Sequence, residues 1–325
     1  MEHPYAKLTP DFVLDAVESI DLECDSRILT LNSYENRVYQ VGIEDKLPLI
    51  AKFYRPQRWS DDAIYEEHTF TKTLQDNDIS VVSPLEIKGK TLHEYNGFRF
   101  TLFPRQGGYA PEIDIPETLY RIGLNIGRIH QCSGTQSFQH RKTFSIEEWA
   151  VGSRTFLLEN NFLSDSLLKA YETLTADLIK KMTAIWSDHP FQAIKLHGDC
   201  HIGNILWRDD LAHFVDFDDC ANGPAIQDLW LMLSGDRQQQ TLQMLELVEG
   251  YEEFCSFDTR QLGLIETLRT LRMMFYSAWL ARRWKDPAFP MHFPWFNTER
   301  YWSEHILELR EQLYILDEPP LKLYP

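Results

Sequence analysis

The sequence predicts an α+β chain of two lobes: a small N-terminal lobe built on an antiparallel sheet (residues 1–105) and a mainly helical C-terminal lobe (residues 106–325). Three observations lead there. Short runs rich in Ile, Val, Phe, Tyr and Leu, separated by polar turns, fill the first hundred residues. After residue 115 the apolar positions recur at helical spacing. That periodicity is interrupted at 194–218, IKLHGDCHIGNILWRDDLAHFVDFD, where short apolar runs flank polar residues of the kinds that chemistry uses. A chain of 325 residues has room for two lobes, and 43% hydrophobic against 25% charged residues supplies the apolar surface to bury their cores.

The elements follow in order. Thr9 before Pro10 is a helix start, because the hydroxyl caps the first turn and Pro needs no N–H partner there; Phe12, Val13, Ala16, Val17 and Ile20 then form one apolar face. Segments 27–32, 37–43, 48–54, 80–87 and 97–103 read as strands, separated by turns such as Glu44-Asp45-Lys46 and Asn96-Gly97. Residues 60–75 open with Ser-Asp-Asp and put Ile64, Glu67, Phe70 and Leu74 on one helical face, so a helix crosses the sheet. Leu119, Ile122, Ile126 and Ile129 mark the next helix, and Leu167, Tyr171, Leu174, Leu178, Met182 and Ile185 a longer one. Further helices are expected at 226–234, 238–255, 259–284 and 298–315. The stretch Pro287 to Trp295, rich in Pro and aromatics, reads as a rigid packed loop.

Charge and cysteines narrow the function. With 32 Lys+Arg against 49 Asp+Glu the net charge is −17, which repels phosphate backbones and anionic headgroups, so neither nucleic-acid binding nor membrane insertion is expected. The longest apolar run, Met273 to Ala281, falls far short of the ~20 residues of a membrane span. MEHPYAKLTPDF has no apolar stretch of signal-peptide length. Cys24, Cys132, Cys200, Cys220 and Cys255 are odd in number and scattered, which suits reduced thiols in a cytoplasmic protein.

The strongest chemical signal is His197-Gly198-Asp199-Cys200-His201-Ile202-Gly203-Asn204, followed twelve residues later by Asp216 in Val-Asp-Phe-Asp. Phosphoryl transfer to a hydroxyl needs a carboxylate to orient the attacking group and take its proton, and hard oxygen ligands for Mg²⁺ on the nucleotide phosphates. Asp199 fits the first role; Asn204 and Asp216 fit the second. His197 reads as a loop-bracing residue. His201 beside Cys200 lacks a second His/Cys pair at zinc spacing. Asp218 and Asp219 are read as hydrogen-bonded or exposed, with assistance to the metal as the alternative. Lys52, in the strand Leu-Ile-Ala-Lys-Phe-Tyr, suits the α- and β-phosphates, with Glu67 as its acidic partner and Glu66 as the alternative. No P-loop or dinucleotide glycine pattern precedes Lys52. The turn at 31–37, with Ser33, is therefore expected to cover the nucleotide, and the backbone near Phe103 and Arg105, at a hinge, to pair with adenine. Asp228 reads as a brace for the catalytic loop, and Arg282-Arg283-Trp284-Lys285 as a charge bias at a helix C-terminus.

These motifs resemble the aminoglycoside phosphotransferase and choline kinase superfamily, in which H-G-D-x-x-x-x-N has Gly where protein kinases have Arg. The strings LNSYENRVYQ, AKFYRPQRW, KLHGDCHIGNILWRD, NGPAIQDLW and DPAFPMHFPW are similar to a bacterial Ser/Thr protein kinase branch of it. The resemblance implies a bilobal protein-kinase-like fold and a monomer that uses ATP and Mg²⁺ to phosphorylate Ser or Thr on proteins and on itself in a stress response. It implies Asp199 as proton acceptor, Asn204 and Asp216 as Mg²⁺ ligands and Ser33 at the ATP site. A small-molecule kinase acting on an aminoglycoside or a choline- or homoserine-like alcohol is the alternative. No D-F-G, A-P-E or activation loop follows Asp216, so regulation by activation-loop phosphorylation is not expected.

Overall fold

The computed structural model describes residue 5, residues 7–134 and residues 136–323; residues 1–4 and 6 of the opening dodecapeptide lie outside them. Helix α1 (Pro10–Glu18) starts where Thr9 Oγ1 accepts from Phe12 N at 3.2 Å. It buries Val13, Ala16 and Val17 against a five-stranded antiparallel sheet. The strands are β1 (Cys24–Leu31), β2 (Arg37–Ile43), β3 (Leu49–Phe53), β4 (His93–Tyr95) and β5 (Phe98–Pro104), in the order β1-β2-β3-β5-β4. The period of two along β3 sorts its side chains: Ala51 and Phe53 enter the core with Tyr39, Phe100 and Leu102, while Ile50 and Lys52 line a cleft. Register places Lys52 between Val38 and Thr101, and Phe103 opposite Ile50. Helix α2 (Asp61–Asp76), capped by Ser60, follows β3.

One strand assignment is corrected. Residues 80–87 are not a strand of this sheet; the fourth strand is β4, joined to β5 through Asn96 and Gly97, both at positive φ as a tight hairpin turn requires. Pro84 has no N–H to offer a ladder. The segment instead makes single ties. Val82 N donates to Phe214 O and Phe214 N to Ser80 O in the C-terminal lobe, while Leu85 N donates to Leu102 O of β5.

The remainder is mainly helical: α3 (Pro116–Ser133), a π-helical turn (Glu147–Val151) running into α4 (Gly152–Glu159), and α5 (Asp165–Asp188). Two antiparallel pairs then carry the polar segment. Strand β6 (Ile194–Leu196) pairs with β9 (Ala221–Gly223), and β7 (Ile205–Arg208) with β8 (Leu211–Phe214). Helices α6 (Gln227–Trp230), α7 (Arg237–Glu252), α8 (Ile265–Arg283), α9 (Ala288–His292) and α10 (Glu299–Ile315) complete the lobe. Tyr171, Met182, Leu196, Phe214, Leu229, Leu268 and Trp302 belong to its core, which Phe70 and Leu74 of α2 join.

Two further expectations shift. The helix expected at 226–234 is the single turn α6, continued by tighter i→i+3 bonds from Met232 and Leu233 until Gly235 turns left-handed and Asp236 caps α7. The 287–295 stretch is packed but not wholly loop, since α9 lies inside it. Pro290 falls in its first turn, where a missing N–H has no consequence, and Phe289 is fully buried.

Candidate active site

Asp199 sits on the loop after β6, and the shape of that loop depends on its neighbours. Gly198 adopts φ 86°, and a Cβ there would stand 2.2 Å from Asp219 O, so only glycine fits. Its amide and that of His197 both donate to the buried Asp228 carboxylate of α6, at 2.9 and 2.7 Å. His130 of α3 donates to the same carboxylate at 3.1 Å and accepts from Tyr251 OH. His197 Nε2 donates to Val215 O at 2.9 Å, and its ring lies 4.4 Å from that of Phe217. Asp228→Ala would strip two buried amides of their acceptor; a loss of roughly 2–4 kcal/mol is expected, read as a lowered urea midpoint together with a fall in turnover.

Hairpin β7–β8 then returns the chain so that Val215 N donates to Asn204 O at 3.0 Å, which brings Asp216 beside Asn204. Asn204 Nδ2 donates to Asp199 O at 3.0 Å, fixing the amide so that its Oδ1 remains as a ligand atom. Asp216 holds φ 60° and ψ 62°, a left-handed conformation that costs a non-glycine residue of order 1 kcal/mol and collects at functional sites. Its side chain is 57% exposed and lines the cleft. An amide oxygen and an open carboxylate are hard oxygen donors, a set that suits Mg²⁺ rather than zinc. The ligand residues present therefore fit the ion.

Lys52 meets three carboxylates. Its Nζ is 2.9 Å from Asp218 Oδ1, 3.4 Å from Glu67 Oε1 and 3.4 Å from Asp216 Oδ1. Burial alone would lower its pKa; Asp218, Glu67 and Asp216 outweigh that and hold the ammonium charged, well above its usual value. Asp218 is thus the nearest of the three, and it is buried, also pairing with Arg58. Asp219 is exposed and pairs with the same arginine. Glu67 has a second, closer partner in Arg141, at 2.8 Å. Glu66 turns elsewhere and accepts from the amides of Gln139 and His140. Arg141 also donates to Ala63 O and Asp218 O. Arg141→Ala leaves Glu67 short of its closer cation, and about 3 kcal/mol of destabilisation is expected in chemical denaturation.

The turn between β1 and β2 closes the cleft from above. Glu35 accepts from Trp279 Nε1 (2.6 Å) and Arg283 Nε (3.0 Å) of α8 and pairs with Arg55 (2.9 Å). Burial would raise this carboxyl, but Arg58, Arg283 and Arg55 hold it below its usual range. Asp286 binds Arg55 at 2.7 Å and Arg37 at 3.2 Å, and the Tyr34 ring packs 4.9 Å from Phe293. Arg283, read as a helix-end bias, is in fact a latch for this turn.

Between sheet and helices lies a cavity of about 630 Å³, of the size that small-ligand sites have. It gathers Ser33, Lys52, Glu67, Phe103, Asp199, Asn204 and Asp216. Arg105 is exposed and does not line it; Pro104 and Gln106 of the hinge do. Asp199 meets a residue that the motifs do not mention: Arg272 Nη1 of α8 stands 2.6 Å from its Oδ1, with His201 Nε2 3.5 Å from Oδ2. Burial would raise Asp199, yet these two partners hold it well below the usual carboxylate range, so it is ionised and able to accept a hydrogen bond. Arg58, Arg141 and Arg272 escape sequence reading because arginine is ordinarily solvated and no motif or spacing marks these three.

A charged carboxylate beside hard oxygen ligands and a buried lysine, under a small sheet and over a helical lobe, is the arrangement of a kinase-type phosphotransferase. The comparisons agree. The model of the phosphotransferase enzyme family matches residues 27–265, and the chain belongs to that family. It is 44% identical over 321 residues to stress response kinase A of Escherichia coli (strain K12), covering 99% of this chain and 97% of that one. It is 42% identical, with the same coverage, to the serine/threonine protein kinase RdoA of Salmonella typhimurium. Among solved structures, the amicoumacin kinase hAmiN superposes with a TM-score of 0.73 at 18% identity, covering 95% of this chain and 94% of that one. Choline kinase LicA from Streptococcus pneumoniae does so with 0.64 at 12% identity, over 94% and 98%. The protein-kinase-like fold expected from the sequence is the fold observed. Among the described residues, no helix is long and apolar enough to cross a membrane.

Proposed function

We propose that this phosphotransferase moves the γ-phosphoryl group of ATP, with Mg²⁺, to Ser and Thr hydroxyls of proteins, itself included, in a bacterial stress response, as a cytoplasmic monomer with lobes 1–105 and 106–325. The observation that carries the reading is the convergence of Lys52, Asp199, Asn204 and Asp216 on one cleft. The names of the relatives at 44% and 42% identity support the protein acceptor and the stress setting.

Asp199 accepts a hydrogen bond from the attacking hydroxyl, orients its lone pair at the phosphorus and takes the proton as the new bond forms. Its low pKa makes it a weak base, which suits a proton transfer late in a loose transition state. Asn204 and Asp216 would hold Mg²⁺, which when bound neutralises charge on the phosphate oxygens. Lys52, kept charged and buried, binds the α- and β-phosphates, and Glu67 with Asp218 fixes its position. Ser33 covers the phosphates, and the backbone of the hinge from Phe103 to Gln106, the stretch that lines the cavity apart from the outward-facing Arg105, pairs with adenine. The 3-10 turn Phe217–Asp219 runs straight into β9, which leaves no activation loop to be phosphorylated.

The test offers the protein γ-labelled ATP and Mg²⁺ with a mixed protein extract, a panel of amino-alcohols and aminoglycosides, or no added acceptor. Label on protein Ser or Thr is expected. Label on a small molecule alone would replace this reading with that of a small-molecule kinase.

A further inference from the structure

We infer that Arg272 makes the acceptor side of the cleft select hydroxyls flanked by negative charge, that is, Ser or Thr in an acidic segment of a protein, against cationic acceptors. This rests on the protein-kinase reading and names its substrate class.

A nucleotide held by Lys52 and the hinge leaves the α8 side of Asp199 for the acceptor. There the cleft is lined by Trp149, Arg272, Phe275, Tyr276 and Trp279, with no carboxylate among them. Elsewhere in the cleft the acids face cations of the chain itself. Glu67, Asp216 and Asp218 face Lys52, and Glu35 lies among Arg55, Arg58 and Arg283. An aromatic cage for a quaternary or protonated amine needs open ring faces. Trp149 lies instead between Phe144 and Phe275, at 4.4 and 4.3 Å, and Trp279 packs on Tyr276 and Phe289, at 5.7 and 5.0 Å.

Arg272 is the cation that an acceptor meets. Its side chain is 44% exposed, and its guanidinium is joined to Asp199, so an acidic side chain beside the acceptor hydroxyl has a partner at the cleft. The same contact draws the guanidinium from Asp199 Oδ1 and frees that oxygen for the hydroxyl. A cationic neighbour meets repulsion and leaves Asp199 occupied. The net charge of −17 attracts cations from afar, but salt screens that field beyond about 8 Å, so contact with Arg272 decides.

The experiment compares two peptides with the same central Ser, one flanked by Glu and one by Lys, as acceptors for wild type, Arg272→Glu and Arg272→Lys, with thermal unfolding as the folding control. In wild type the Glu peptide is expected to exceed the Lys peptide about tenfold in kcat/KM, mostly through KM. Arg272→Lys keeps the order, and Arg272→Glu reverses it, an outcome that a purely structural arginine does not give. Equal use of both peptides by wild type, or the same ratio in wild type and Arg272→Glu, overturns the inference and leaves the protein-kinase reading intact. Labelling of neither peptide also overturns it; if the amino-alcohol panel of the preceding test, run alongside, is labelled instead, the protein-kinase reading falls with it.

Discussion

Asp199→Ala is expected to lower the rate of phosphoryl transfer by about 10²–10⁴-fold while the protein still binds ATP and Mg²⁺. The carboxylate accepts a proton only as the hydroxyl attacks, so its contribution belongs to the transition state rather than to ground-state binding. Alanine also leaves Arg272 without its 2.6 Å partner. Asp199→Asn, which keeps an oxygen for hydrogen bonding but is no base, therefore separates positioning from proton acceptance. Single-turnover rates for the three proteins, with nucleotide affinity from calorimetry, make the measurement. A rate in Asp199→Ala within threefold of wild type would remove Asp199 from the mechanism.

The second large effect is expected at Asp216. Alanine would lose the carboxylate and also occupy a left-handed backbone at a cost of about 1–2 kcal/mol, which confounds folding with ligation. Asparagine tolerates that backbone better, so Asp216→Asn is the cleaner variant. It is expected to lose at least about tenfold of the Mg²⁺-dependent part of ATP affinity, about 1.4 kcal/mol. In chelator, where no metal is held, its affinity should match wild type closely. Titrations with and without Mg²⁺ decide it; a wild-type gain from Mg²⁺ in the variant would contradict the assignment of Asp216 as a ligand.

What the sequence made legible was local. Asn204 follows Asp199 by five positions, and a hairpin returns Asp216 within a dozen more, so that part of the site is nearly written in one segment. Lys52 and Glu67 were readable because a strand alternates and a helix repeats, and an acid on an apolar face needs a cation. The strand expected at 80–87 shows the limit of such reading. Its residue types suit a sheet, but Pro84 and the ties to Phe214 and Leu102 turn it into a connection between lobes. Partners distant in sequence carry no periodic signal. Arg141 on Glu67, Arg272 on Asp199, and Asp286 on Arg37 and Arg55 arise only when loops and helices from both lobes converge. Asp218 is hydrogen-bonded, as its sequence reading allows, but that it is the closest acidic neighbour of Lys52 is not legible, because two acids two residues apart give no hint of which one turns inward.

The most direct test of the central claim is phosphoamino-acid analysis of the protein after incubation with γ-labelled ATP and Mg²⁺, with Asp199→Ala alongside. Phosphoserine or phosphothreonine on the native chain and none on the variant is the predicted result. A native chain that stays unlabelled on Ser and Thr while an amino-alcohol in the same tube takes the phosphate would contradict it.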